Sequence, residues 1–91
     1  MREKLFLRVY LAATQATYEF LVPFDLTVRE AASLVARLLE TRASPYYTAS
    51  STARLMLLER DGGGELLGGG VTIRELMCGG VLVDGSYVAL V

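Results

Sequence analysis

The sequence predicts an α+β domain, a mixed sheet packed on one main helix. Three observations lead there. Residues 5–11 and 17–22 alternate with a period of two across a short link. A helix start stands at Thr27, and an apolar strand follows Asp84-Gly85. The 91 residues suit one domain and leave little room for a second, so a single unit over residues 1–91 is expected.

Taken in order, Leu5, Leu7, Val9 and Leu11 alternate with Phe6, Arg8 and Tyr10, as in a strand with one apolar face. Ala12 to Ala16 is a short link. Tyr18, Phe20 and Val22 then alternate with Thr17, Glu19 and Leu21, and the pair reads as a hairpin. Pro23 cannot donate to a ladder and ends it. Thr27-Val28-Arg29-Glu30 has the form of a capping box: the Thr27 hydroxyl accepts from the Glu30 amide, and the Glu30 carboxylate accepts from Thr27 N–H. Val28, Ala31, Ala32, Val35, Leu38 and Leu39 follow at helical spacing, with Glu30, Arg37 and Glu40 on or near the opposite face. Ser44-Pro45 stops this helix at about Arg42. Tyr46 to Thr52 reads as a loop and Arg54 to Glu59 as a third strand. Asp61-Gly62-Gly63-Gly64 reads as a turn, and Glu65-Leu66-Leu67 as a short fourth strand. Gly68-Gly69-Gly70 reads as a flexible break. Thr72-Ile73-Arg74-Glu75 repeats the capping-box pattern and opens a short helix. Asp84-Gly85 makes a turn before a final strand, Tyr87 to Val91. The two Thr-x-x-Glu segments are two helix starts; a four-residue match is too short to mark a duplication.

Composition narrows the function. Hydrophobic residues make up 53%, above the usual share of roughly 45–50%. A small domain cannot enclose all of them, so apolar surface is expected. Nine basic residues against ten acidic ones leave a net charge of −1. No basic excess exists to neutralise phosphates, so nucleic acid is not an expected partner. No His is present, which removes imidazole as metal ligand and as general base. Cys78 is the only cysteine, so neither an internal disulfide nor a four-cysteine metal site can form. No cofactor and no metal are expected, and a reducing cytoplasmic location suits the chain. Met1-Arg2-Glu3-Lys4 ahead of Leu5-Phe6-Leu7 imitates a signal peptide, but Arg8 interrupts the apolar stretch and the segment alternates like a strand. No apolar run approaches the roughly 18 residues of a membrane span, so direct membrane insertion is not expected.

Several residues invite a chemical reading. The glycine runs at 62–64 and 68–70 suggest a phosphate loop, but neither is followed by the Lys-Ser/Thr that such a loop requires, and a turn is the stronger reading. Cys78 has no His to activate it, so a buried or half-buried structural thiol is expected. Glu59, Asp61 and Glu65 cluster around a glycine turn, where carboxylates are solvated and unsuited to acid–base work. Tyr46 and Tyr47 follow Pro45 in a loop, either as binding anchors or folded over the helix end. No catalytic residue is assigned, and the chain is not expected to be an enzyme.

The order strand, strand, helix, strand, short strand, helical turn, strand is that of a β-grasp. Arg54-Leu55-Met56-Leu57 resembles the ubiquitin strand that carries its recognition patch. Thr72-Ile73 and Asp84-Gly85-Ser86-Tyr87-Val88-Ala89-Leu90-Val91 resemble ubiquitin's turn and final strand. Among bacterial proteins the chain is similar to the ubiquitin-like proteins of the YukD type, short chains associated with type VII secretion systems. The resemblance covers nearly the whole chain. It departs between Leu76 and Val83, where Met77-Cys78-Gly79-Gly80 stands in place of a shorter connection. It implies a ubiquitin-like β-grasp fold and a non-catalytic protein-interaction module, an accessory or regulatory component of such a system. The implied partner is a secretion-system membrane protein or a second copy of the chain, a homo-oligomer. The competing implication is a small non-catalytic β-grasp subunit of a larger enzyme complex. Ubiquitin and the sulfur carriers of this fold act through a C-terminal Gly-Gly, which can thread a narrow active site. The sequence here closes on Val88-Ala89-Leu90-Val91, so conjugation and sulfur transfer are not expected.

Alternation also defines a candidate surface. With Leu5, Leu7, Val9, Tyr18, Phe20, Val22, Leu55, Leu57, Val88 and Leu90 turned to the helix, Phe6, Arg8, Tyr10, Met56, Ala89 and Val91 lie on the outer face. Apolar residues around an Arg are the composition of interface centres. By resemblance this is the recognition face of ubiquitin, with Met56 at its middle. Phe6, Arg8, Tyr10, Met56 and Val91 are the expected protein-binding residues. The competing reading is an ordinary, partly solvated sheet face.

Overall fold

The computed structural model describes residues 3–43, 45, 47–49, 52–59 and 62–91. Its elements run β1 (Lys4–Leu11), β2 (Ala16–Pro23), α1 (Val28–Ala43), β3 (Leu55–Leu58), β4 (Gly64–Leu66), α2 (Ile73–Cys78) and β5 (Ser86–Leu90). Among the described residues the strands form one sheet in the order β2-β1-β5-β3-β4. β1 pairs antiparallel with β2 and parallel with β5, and β3 pairs antiparallel with β5 and β4. The mixed α+β sheet expected from the sequence is therefore present. Pro23 pairs with Lys4 at the end of the edge strand β2, a place where a missing N–H is tolerated.

One face of the sheet packs on α1. Leu5, Leu7, Val9, Leu11, Phe20, Val22, Leu55, Val88 and Leu90 are buried there. Val28, Ala31, Ala32, Val35, Ala36 and Leu39 are the buried stripe of α1, spaced as one face of a helix. Three of these six are alanines, which let the helix axis approach the sheet closely. Leu38 departs from expectation and is exposed. Ten residues after Val28, the helix has turned to roughly 80° from it, just past the Ala31 edge of the buried stripe. Tyr18 and Leu57 are partly buried against the core.

The two capping boxes both form, and each helix start completes the other. Thr27 N–H donates to Glu30 Oε1 at 2.9 Å, and Glu30 N–H donates to Thr27 Oγ1 at 3.1 Å. In α2, Glu75 N–H donates to Thr72 Oγ1 at 3.1 Å, with the Glu75 carboxylate turned back to Thr72. Thr27 and Thr72 form an antiparallel bridge between the two segments. Val28 N–H donates to Val71 O and Arg29 N–H to Gly69 O, at 2.8 and 3.0 Å. Reciprocally, Ile73 N–H donates to Leu26 O and Arg74 N–H to Phe24 O, at 2.9 and 3.0 Å. A helix begins with four N–H groups lacking intrahelical partners. Here those four are the cap and the first three helical residues, 27–30 and 72–75, and each has a partner in its own capping box or in the opposite segment.

This arrangement corrects the reading of Gly68-Gly69-Gly70 as a flexible break. Gly68 accepts from Val71 N–H, and Gly69 accepts from the start of α1, so the run is a built connection. It also presents carbonyl oxygens to the helix, whereas a phosphate loop presents N–H groups to an anion.

The segment from Leu76 to Val83 closes α2. Gly79 caps the helix, Val81 and Leu82 donate back to Leu76 O, and Leu82 enters the core. Cys78 is exposed, against the expectation of a buried or half-buried thiol. It sits on the last turn of a six-residue helix whose core contact is made by Ile73. Tyr47 packs partly buried against the core, as in the folded-back reading; Tyr46 and Asp61 lie outside the described residues. Glu59 and Glu65 are exposed.

The box around Thr27 carries a pH dependence. The Thr27 backbone N–H, and secondarily its hydroxyl, hold the Glu30 carboxyl below the usual carboxylate range. A lowered folded pKa contributes stability above the ordinary value and loses it as pH falls through the lowered one. The protection of the Thr27 amide, its exchange rate taken relative to the intrinsic rate at the same pH, should therefore fall in acid together with Glu30 protonation, read by carboxyl NMR. Glu30→Gln keeps an acceptor and should remove the pH dependence of that protection.

Candidate protein-interaction surface

The register of the sheet builds its outer face. Thr17, Tyr10, Ala89, Met56 and Leu66 are successive cross-strand partners, so their side chains form one row across all five strands of the sheet. A second row holds Glu19, Arg8 and Tyr87, and a third pairs Phe6 with Leu21. The face thus brings Phe6, Arg8, Tyr10 and Met56 together as expected. Val91 lies past the end of β5, paired through its backbone with Arg54 and 56% exposed.

Exposure is uneven along the face. Tyr10, Met56 and Phe6 are half-buried, because each leans on its neighbours. Ala89, expected outside, is on this face but only 7% exposed. Its methyl group stands between the larger Tyr10 and Met56, its partners in the row. Met56 reaches sideways over Gly64: a Cβ built on Gly64 would stand at 2.5 Å from its sulfur. The more exposed apolar groups are peripheral, Leu21 at one edge, Leu66 at the other and Val91 past the end of β5.

Arg8 is held in place. Its guanidinium lies over the Tyr87 ring, 5.3 Å from the centroid, and Nε donates to Gly85 O at 3.0 Å. The Tyr87 hydroxyl is 3.0 Å from Thr17 Oγ1, across the intervening β1. Phe6 is anchored by its N–H to Asp84 Oδ1 at 3.0 Å, while Gly85 N–H donates to Phe6 O at 2.9 Å. An ordered cation on an aromatic platform, beside a flat apolar row, can receive an apolar segment carrying an acceptor without much loss of side-chain freedom.

Sequence reasoning missed Tyr87, Leu21 and Leu66 on this face. The signal existed: Leu21 is out of phase with Phe20 and Val22, and Tyr87 precedes the buried Val88 by one residue. Among the described residues, no helix is long and apolar enough to cross a membrane.

No protein-family model and no curated protein matches the sequence. Solved structures do match. The EccD5 ubiquitin-like domain from Mycobacterium xenopi superposes with a TM-score of 0.68 at 16% identity, over 99% of this chain and 94% of that one. A chain of the MycP5-free ESX-5 inner membrane complex matches with a TM-score of 0.70 at 15% identity, over 99% of this chain but 21% of that chain. A ubiquitin-like domain from tubulin-binding cofactor B matches with a TM-score of 0.62 at 22% identity, over 99% of this chain and 90% of that one. The fold is a ubiquitin-like β-grasp.

Proposed function

We propose that this chain is a non-catalytic ubiquitin-like interaction module. It docks through the outer face of its sheet onto a protein of a type VII secretion complex, as an accessory or regulatory component on the cytoplasmic side. The observation that carries this reading is the row Tyr10–Ala89–Met56–Leu66, flanked by the Tyr87-mounted Arg8. Its apolar groups around a fixed guanidinium have the composition of an interface core. The likeness to the EccD5 ubiquitin-like domain and to part of an ESX-5 inner membrane complex chain supports a secretion-system partner. The assignment to YukD-type proteins rests on the sequence resemblance. A non-catalytic role is supported by the absence of His and by the exposure of Cys78, Glu59 and Glu65, none of which lies in an enclosed site.

The test is affinity capture from the source cell with the tagged full chain and with Met56→Asp or Tyr10→Asp. Each variant should lower recovery of the specific partner at least about tenfold, since an unpaired carboxylate would be buried in the contact. Melting temperatures should stay close to the parent's, because both side chains lie outside the helix-side core. Equal recovery with both variants would remove the outer face from consideration. A partner consisting only of further copies of the chain, seen as a doubled mass in sedimentation, would make the surface a homo-oligomer interface.

A further inference from the structure

A cleft of about 260 Å³ opens between the start of α1 and the segments flanking β3 and β4. Val28, Ala53 and Leu67 are nearly inaccessible and form its apolar floor. Arg29, Arg54 and Gly69 stand at its rim. Among the described residues no Asp or Glu lines it, and neither guanidinium has a carboxylate partner.

Both guanidiniums are placed by the fold. Arg54 Nη2 donates to Leu67 O at 3.5 Å, a long contact that uses one of the five donors a guanidinium carries. Arg29 lies along Gly69, where a built Cβ would come within 3.2 Å of Nη2. A side chain at Gly69 would make Arg29 shift by a few tenths of an ångström. The backbone donors at the start of α1 are already engaged with Gly69, Val71 and Thr27. Anion recognition here falls to the two side chains.

The geometry points to a binding site for the C-terminal apolar residue of a peptide or protein, its carboxylate shared by Arg29 and Arg54 and its side chain on the Val28–Ala53–Leu67 floor. The volume lies below the roughly 300–1,000 Å³ of cofactor-sized pockets and fits one side chain. An internal Glu or Asp would bring the charge but leave the floor empty. A planar guanidinium fork matches a carboxylate in two parallel hydrogen bonds, which favours this ligand over a point anion. The cleft is lined from the helix side and does not rest on the outer-face reading above.

The experiment is an NMR titration of the full chain with three probes: N-acetyl-glycyl-glycyl-leucine with a free carboxylate, its C-terminal amide, and inorganic phosphate. The free acid should shift the amides of Ala53, Leu67 and Gly69 saturably, and added salt should weaken it. Kd should rise about fivefold in Arg29→Gln and in Arg54→Gln. Both variants should melt as the parent does, because both side chains are exposed. Equal binding of the amide, unchanged Kd in both variants, or no saturable shift would overturn the site. Phosphate shifting the same amides as strongly would also overturn it, leaving a general anion patch.

Discussion

Replacing Leu7 by Ala should destabilise the domain by about 2–5 kcal/mol, the usual cost of truncating a fully buried leucine. Leu7 is completely inaccessible on β1, opposite Phe20 of β2 and Ser86 of β5. It stands where the helix-side core is bounded by two strands at once, so little can relax into the space left behind. A domain of this kind has roughly 5–15 kcal/mol in all. The measurement is urea unfolding followed by circular dichroism, with the midpoint lowered and the denaturant slope preserved. Leu21→Ala is the matched control: the same residue type, in the neighbouring strand, 63% exposed on the opposite face. It should change stability by less than about 0.5 kcal/mol. Similar losses for both substitutions would contradict the assignment of faces.

Thr27→Ala and Thr72→Ala should each cost about 0.5–2 kcal/mol, as the loss of an N-cap does. The double variant should depart from the sum of the two by at least about 0.5 kcal/mol. The reason is geometric. The two caps are bridged to each other, and four backbone hydrogen bonds run reciprocally between the segments 24–29 and 69–74. Loosening one start frees carbonyls that the other needs, so part of the second loss is already incurred with the first. Independent caps would give simple addition in the same double-mutant cycle. The Arg74–Asp25 ion pair beside them, at 2.8 Å between two exposed side chains, should contribute little by comparison.

Much of this fold was legible because its signals are local. The alternation of Leu5, Leu7, Val9 and Leu11 and the capping box at Thr27 each declare themselves within one element. The order of elements followed from them, and with it the β-grasp reading. Several features were not legible for a shared reason. The pairing of the Thr27 and Thr72 segments is made by backbone atoms far apart in sequence, and side-chain identity does not encode it. The same holds for Gly68-Gly69-Gly70, whose composition reads as flexible while its carbonyls are held by α1. The short α2 displays too little periodicity to say which side Cys78 takes. On the candidate surface, Phe6, Arg8, Tyr10 and Met56 came from alternation alone. The burial of Ala89 between Tyr10 and Met56 needed the register of three strands at once.

The central position of β5 has a consequence for the order of assembly. Without residues 86–90, the sheet falls into two separate ribbons, β1–β2 and β3–β4. Two-stranded ribbons are marginal in water by themselves. They become one sheet only when β5 inserts between them, which joins positions as distant as 7 and 86. Closing that long loop costs entropy before most of the core exists, so substitutions in β5 are expected to slow folding, read as the folding arm of a chevron. Because the row Tyr10–Ala89–Met56 is created by the same insertion, the proposed recognition face has no existence in a partly assembled chain. A partner reading that row would also be reading whether the domain has finished folding.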